Sequence, residues 1–221
     1  MLCANIYSMK SNLLIYIFFI LGLLSCSSSN HEQLLNDSTI NSIYKPNEVK
    51  ELSKILTFFQ NEICSKKLIN ISDTLECFRA YMDFLKSNMP SDSLNLQINF
   101  SSQQKFYSEI SQEMFTDIWE VSWKIRSYSN SKKDTLKAIG YNSSGRFMEL
   151  VKQTGNDHES IKRYHYAIES AGGLSPSAMG DLMAFPENYD ISDVRIRLII
   201  AVHYLTFNDD MKRIEKVKIS A

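Results

Sequence analysis

The chain has 221 residues, 44% of them hydrophobic and 11% aromatic, with 7 Gly and 4 Pro. A chain of that length buries about 70% of its unfolded surface in one compact domain, and the composition excludes a disordered or collagen-like polymer. With 24 Lys and Arg against 25 Asp and Glu, the formal charge of −1 offers no general electrostatic footprint for nucleic acid.

Residues 13–24 (LLIYIFFILGLL) are apolar or small and follow Lys10. As a helix this run would span about 18 Å, short of the roughly 30 Å hydrocarbon core of a bilayer. A positive start and a short apolar run form instead the pattern of a secretory signal peptide. Met9, directly before Lys10, fits the translation start. The run ends in Leu23-Leu24-Ser25-Cys26 and continues with Ser27-Ser28-Ser29-Asn30. This resembles the lipobox of bacterial lipoproteins. The resemblance implies a signal peptide over residues 1–25, acylation of Cys26 with palmitate-type chains, and anchoring to the lipid bilayer of the cell envelope. Ser27, where Asp would retain such a protein at the inner membrane, implies the outer membrane, facing the periplasm or the cell surface. Residues 27–46 are polar, weakly periodic and end at Pro46. They are expected to form, with the lipidated Cys26, a flexible tether with an r.m.s. span of about 25 Å, leaving 47–221 as the globular domain.

Apolar residues recur at threes and fours over 47–67 (Val49, Leu52, Leu56, Phe59, Ile63) and over 72–89 (Leu75, Phe78, Met82, Leu85, Met89). This spacing predicts two helices, the second capped by Ser72 and stopped by Pro90. If residues 68–71 turn an antiparallel helical hairpin, Cys64 and Cys77 lie at similar depth on facing helices. An envelope compartment permits a bridge between them; two buried thiols are the alternative. Leu94, Leu96, Ile98 and Phe100 alternate with polar neighbours, a short strand signal. Ser101 and Gln104 form a capping-box pattern ahead of a long helix striped by Tyr107, Ile110, Met114, Ile118, Val121 and Ile125. Phe115, Trp119 and Trp123 make an aromatic row beside that stripe. Trp119 and Trp123 are candidate binding residues for a sugar ring or a partner protein, with core packing as the alternative. Residues 126–142 are polar and read as a loop or a poor hairpin.

A helix over 144–154 is expected to stop at Gly155, and one over 158–171 at Gly172-Gly173. Ser175 caps a short helix that has Pro176 at its first position and is closed by Pro186. Ser192 opens the last helix, whose centre, Leu198-Ile199-Ile200-Ala201-Val202, is apolar on all sides and belongs in the middle of a core. The tail 213–220 alternates weakly, as a strand or a disordered end. The fold expected is mainly α, a single helical domain with at most a small β-hairpin or short strands.

Chemistry-bearing residues are sparse. His165 and Glu169 stand four apart on one helix, as two ligands, an acid–base pair or a plain polar pair. Without HExxH or CxxC spacing there is no expected metal site, and no P-loop, dinucleotide fingerprint or G-x-S-x-G elbow calls for a cofactor. Glu169-Ser170, then Ser175 to Gly180, then Leu182-Met183 resembles the catalytic stretch of lytic transglycosylases. That resemblance implies Glu169 as the acid that protonates a glycosidic oxygen of peptidoglycan. The interval from Glu169 to Gly180 is shorter than in that family, Asp181 separates Gly from Leu, and Ala184 stands where Gln is usual. A glycine-capped helix followed by a Ser-Pro-capped helix accounts for most of the same letters. The resulting expectation is a lipid-anchored envelope protein whose helical domain is a binding or interaction module. It would serve as an accessory subunit or an immunity-type protein, with a partner protein in the envelope. The alternative is a peptidoglycan hydrolase or lyase using Glu169.

Overall fold

The computed structural model describes residues 29–64, 73–89, 94–127 and 133–220. The signal peptide, Met9 and Cys26 lie outside the described residues, as do Ser72 and Pro90. The chain opens with two short helices, α1 (Asn30–Leu35) and α2 (Ser38–Ile43). Residues 30–44 therefore belong to the folded body and are not a tether. Ser29 caps α1 by accepting the Glu32 N–H, and Asp37 caps α2 by accepting that of Ile40. Leu34, Ile40 and Tyr44 are buried. One fully buried residue in each six-residue helix is too little for a helical period to register in the sequence.

Helices α3 (Pro46–Cys64) and α4 (Thr74–Asn88) follow the predicted periodicity, with Asp73 rather than Ser72 as the α4 cap. Cys64 and Cys77 are bridged, their Cα atoms 5.8 Å apart. The alternating segment 94–99 buries Leu96 and Ile98 but is not a strand of the sheet. Gln97 has φ of 58°, which breaks extended geometry, and the Leu96 carbonyl accepts from the Tyr81 hydroxyl at 2.8 Å.

The long helix predicted from residue 101 is instead two helices and a strand: α5 (Phe100–Glu109), α6 (Gln112–Ile118) and β1 (Trp119–Ser127). Asn99, not Ser101, caps α5. Ile110 is extended, and the Ser111 hydroxyl accepts the Met114 N–H to start α6 afresh. The predicted stripe joins both sides of these breaks only because Ile110, Met114 and Ile118 are spaced by four. Beyond them, Trp119-Glu120-Val121-Ser122-Trp123 alternates at the period of a strand. Strand β1 pairs antiparallel with β2 (Lys133–Tyr141), in register from Trp119 opposite Tyr141 to Ser127 opposite Lys133. Within the polar stretch 126–142, residues 126–127 thus end β1 and residues 133–141 form its antiparallel partner.

Helices α7 (Arg146–Asp157) and α8 (Glu159–Ala171) come next. Gly155 does not stop α7. It lies inside the helix where α8 crosses so closely that a Cβ would stand 2.9 Å from the Lys162 Cα. Gly172, at φ of 66°, does end α8 in the left-handed conformation. Helix α9 (Pro176–Ala184) has the expected Ser175 cap and stops before Pro186, which opens a single 3₁₀ turn, Pro186–Asn188. The last helix, α10, spans Val194–Ser220 and takes in the tail read as a strand or disordered end.

The residues Leu198 to Val202 of α10 are inaccessible to solvent, and the remaining elements wrap them. Phe59 of α3 stacks parallel to Tyr204 at 6.2 Å. His203 is fully buried; its Nδ1 shares a hydrogen bond with the Tyr164 hydroxyl at 2.9 Å, which bonds that of Tyr141 at 2.8 Å. Burial pushes the His203 pKa down to about 3.

Two consequences are measurable. Replacing Leu34→Ala lowers unfolding stability by about 2–5 kcal/mol in urea titration, because its side chain is in the core. An effect below about 0.5 kcal/mol, the usual size for a surface position, would return this segment to the role of a tether. An unfolded imidazole binds its proton near pH 6.5, whereas folded His203 stays neutral down to about 3. Its contribution is therefore complete above pH 6.5. It is lost as the pH falls toward 3, at about 1.4 kcal/mol per unit. Between pH 6.5 and 4.5 the stability of the His203→Leu protein should fall less steeply than that of the wild type. Equal slopes would mean that folded His203 takes up protons freely.

Candidate functional site

The hairpin separates the two tryptophans. Trp119, Val121 and Trp123 share one face of β1, since side chains alternate along a strand. Trp119, at the root, is fully buried; its Nε1 donates to the Thr206 hydroxyl at 2.8 Å, and its ring packs on Tyr107 and Phe115. The expectation of Trp119 as a binding residue is thus corrected: it anchors the hairpin in the core. Four residues farther out, Trp123 is 66% exposed, and Val121 between them 45%. The same face passes from core to solvent as the hairpin leaves the body. Opposite Val121 stands Ile139, and opposite Trp123 stands Lys137. Val121 was legible in the sequence only as part of a helical stripe, which hid its role beside Trp123.

Behind the hairpin lies a cleft of about 210 Å³ between β1, the end of α8 and α10, with Glu120, Ser122, Tyr141, Gly172, Gly173 and Asp210 on its walls. Burial raises the Tyr141 hydroxyl pKa well above the ordinary range, although bonds to Tyr164 and Thr206 act the other way. A second groove, of about 540 Å³, runs between α4 and the turns ahead of α10, and includes Arg79, Asp83, Glu187 and Asp190. Its charges are of both signs. Glu187 pairs with Lys86 at 3.0 Å, and the Ser192 hydroxyl and N–H hold the Asp190 carboxyl below its usual range.

Glu169 and His165 come together as the spacing on α8 requires, with 3.8 Å between Nδ1 and Oε2. The Glu169 side chain is 66% exposed, beside a shallow groove of about 300 Å³ shared with Ser144, Glu149 and Lys152. A glycosidic general acid works from a setting that shields its carboxyl from water, and Glu169 does not stand in one. Among the described residues no group of three His, Cys, Asp or Glu is placed to hold a metal ion.

One polar cluster had no motif to announce it. The Asp117 carboxylate at the end of α6 accepts from the Tyr44 hydroxyl at 2.8 Å and from the Arg146 N–H at 2.9 Å. It thereby caps α7, whose own N-cap, Gly145, has no side chain to do so. Arg146 also reaches Glu48 at 3.0 Å. Burial opposes ionisation of Glu48, but the Lys45 N–H and the Arg146 guanidinium outweigh it and hold the carboxyl below its usual range. All four groups are engaged with one another, which makes this a joint between helices.

No family model and no solved structure matches the chain. A glycerate 2-kinase from Picrophilus torridus is 27% identical to it over 105 residues, which cover 46% of this chain and 25% of that protein. The chain spans about a quarter of the length of that curated relative, and the kinase name is said of that protein.

Proposed function

We propose that this chain is a lipid-anchored protein of the bacterial cell envelope, held at the outer membrane through acyl chains on Cys26, whose helical domain binds a partner protein. The run Leu23-Leu24-Ser25-Cys26 behind a charged start and an apolar stretch supports the anchor. The observation that carries the binding role is Trp123, two-thirds exposed on a strand whose root is locked into the core by Trp119. An exposed indole on a rigid element presents a large contact area with little side-chain entropy to lose, and Trp is enriched among residues that dominate interfaces. Anchoring adds to this by raising the effective concentration of the domain toward other proteins of the same membrane. An accessory subunit of an envelope complex and an immunity-type protein would both use the hairpin in this way.

The test is chemical crosslinking in native envelopes with the full lipoprotein, its Cys26→Ser form and its Trp123→Ala form. Loss of an interface tryptophan costs about 2 kcal/mol or more, a fall of about 30-fold in affinity. The Trp123→Ala protein should therefore stay folded and membrane-bound while its crosslinked partner disappears. The Cys26→Ser protein should leave the membrane fraction. Undiminished crosslinking of the same partner by Trp123→Ala would remove the hairpin from the interface, and an unacylated Cys26 would remove the anchor.

A further inference from the structure

The folded body begins very close to the proposed anchor. Asn30, the first residue of α1, is already tied down: its Nδ2 donates to the Thr57 hydroxyl at 3.2 Å and to Gln60 Oε1 at 2.9 Å, both on α3. Gln60 in turn donates to the Thr74 hydroxyl at the start of α4. Burial of Leu34 and a hydrogen bond from Arg197 of α10 to Gln33 hold the rest of α1. Only Ser27, Ser28 and Ser29 separate Cys26 from Asn30. Four peptide steps reach about 14 Å at full extension. Acyl chains place Cys26 at the edge of the hydrocarbon, and the headgroup layer itself is about 5–8 Å thick. About half of the available reach is thus taken up in leaving the membrane.

Resting on the anchored reading above, we infer that the domain lies against the lipid headgroups, with one edge facing the bilayer: the start of α1, residues 57–61 of α3 and the start of α4. The chemistry of that edge suits contact with headgroups and not insertion. Its exposed side chains include Ser29, Glu32, Thr57, Asn61, Asp73 and Glu76, all polar or acidic. Among the described residues no helix is long and apolar enough to cross a membrane. The occupant of this edge is a layer of polar lipid headgroups, brought there by the shortness of the link. A domain of this size is about 40 Å across, so whatever its hairpin binds lies within about that distance of the membrane.

Energy transfer to the membrane surface tests this. The lipoprotein is purified from envelopes and reconstituted into phosphatidylethanolamine–phosphatidylglycerol vesicles containing a headgroup-labelled acceptor lipid. A donor dye is attached at Asn61→Cys or, in a second protein, at Ser144→Cys, without reductant so that Cys64 and Cys77 stay bridged. Both positions are exposed. Ser144 lies beside Arg146, which pairs with Glu48, and Glu48 is about 18 Å along α3 from Gln60. Each labelled protein is compared with a form carrying about 20 Gly and Ser residues inserted after Ser28, a coil of about 25 Å r.m.s. span. Transfer from Asn61 should exceed transfer from Ser144, and the insertion should cut the Asn61 signal by about half or more. The mass of the N-terminal peptide is read on the same sample. Acylated Cys26 with an Asn61 signal unchanged by the insertion, or weaker than that of Ser144, overturns the orientation alone. Unacylated Cys26 overturns both the orientation and the anchor.

Discussion

A helix with no solvent-facing side can exist only if everything else is built around it. From Leu198 to Val202, α10 is inaccessible to water on every face, so the other elements form its coat. Apolar contact alone would leave their order around it loosely specified, because one greasy face packs on another in many ways. The polar side chains that α10 carries inward remove that freedom. Arg197 bonds Gln33 of α1 as well as the carbonyls of Ile191 and Ser192. His203 meets Tyr164 of α8, Thr206 meets Trp119 of β1, and Asn208 and Asp209 meet Gln103 and Gln104 of α5. Leaving one such group without its partner costs about 1–3 kcal/mol. Each bond therefore selects the element that belongs beside it.

The hairpin is where this arrangement turns outward. The Thr206 hydroxyl accepts a hydrogen bond from the Trp119 indole N–H and donates one to the Val202 carbonyl one turn back, at 2.7 Å. The root of β1 is thereby fixed in rotation as well as in position. Strand alternation then leaves Val121 and Trp123 no direction except along the same face, past the limit of the coat. If the hairpin binds a partner as proposed, a residue held in this way meets it already oriented, which reduces the ordering cost of binding.

The helices that pack through a long face were legible from residue spacing. Val49 to Ile63 of α3 and Phe78 to Leu85 of α4 repeat at threes and fours, and the all-apolar centre of α10 announced its own burial. The facing positions of Cys64 and Cys77 followed from the same reasoning. What spacing could not show was any element whose identity rests on a few atoms. Helices α1 and α2 each bury a single residue fully and depend on Ser29 and Asp37 as caps. The break between α5 and α6 depends on Ser111 restarting a helix, and the change from α6 to β1 on a partner strand too polar to declare itself. Trp119 and Trp123 read as equals along a helix because a spacing of four is also two strand periods. Only the register of β1 on β2 gives one to the core and the other to solvent. Asp117 gave no sign at all, because its partners Tyr44 and Arg146 lie 73 and 29 residues away.

The same packing that hides α10 determines how far the domain stands from residue 26. Had residues 30–44 remained free, they would have formed a long tether. Instead Leu34, Ile40 and Tyr44 cover the core, so the length of the link is a by-product of folding. The two states are not exclusive in principle, since α1 could detach and release its residues as tether. Exposing the Leu34 side chain alone costs about 2 kcal/mol, and the bonds of Asn30 and Gln33 add to that. At tenfold per 1.4 kcal/mol, the detached form amounts to a few per cent of the population or less. A protein anchored at Cys26 would therefore spend nearly all its time close to the bilayer. Any partner that gained by pulling the domain outward would have to supply this free energy through its own contacts.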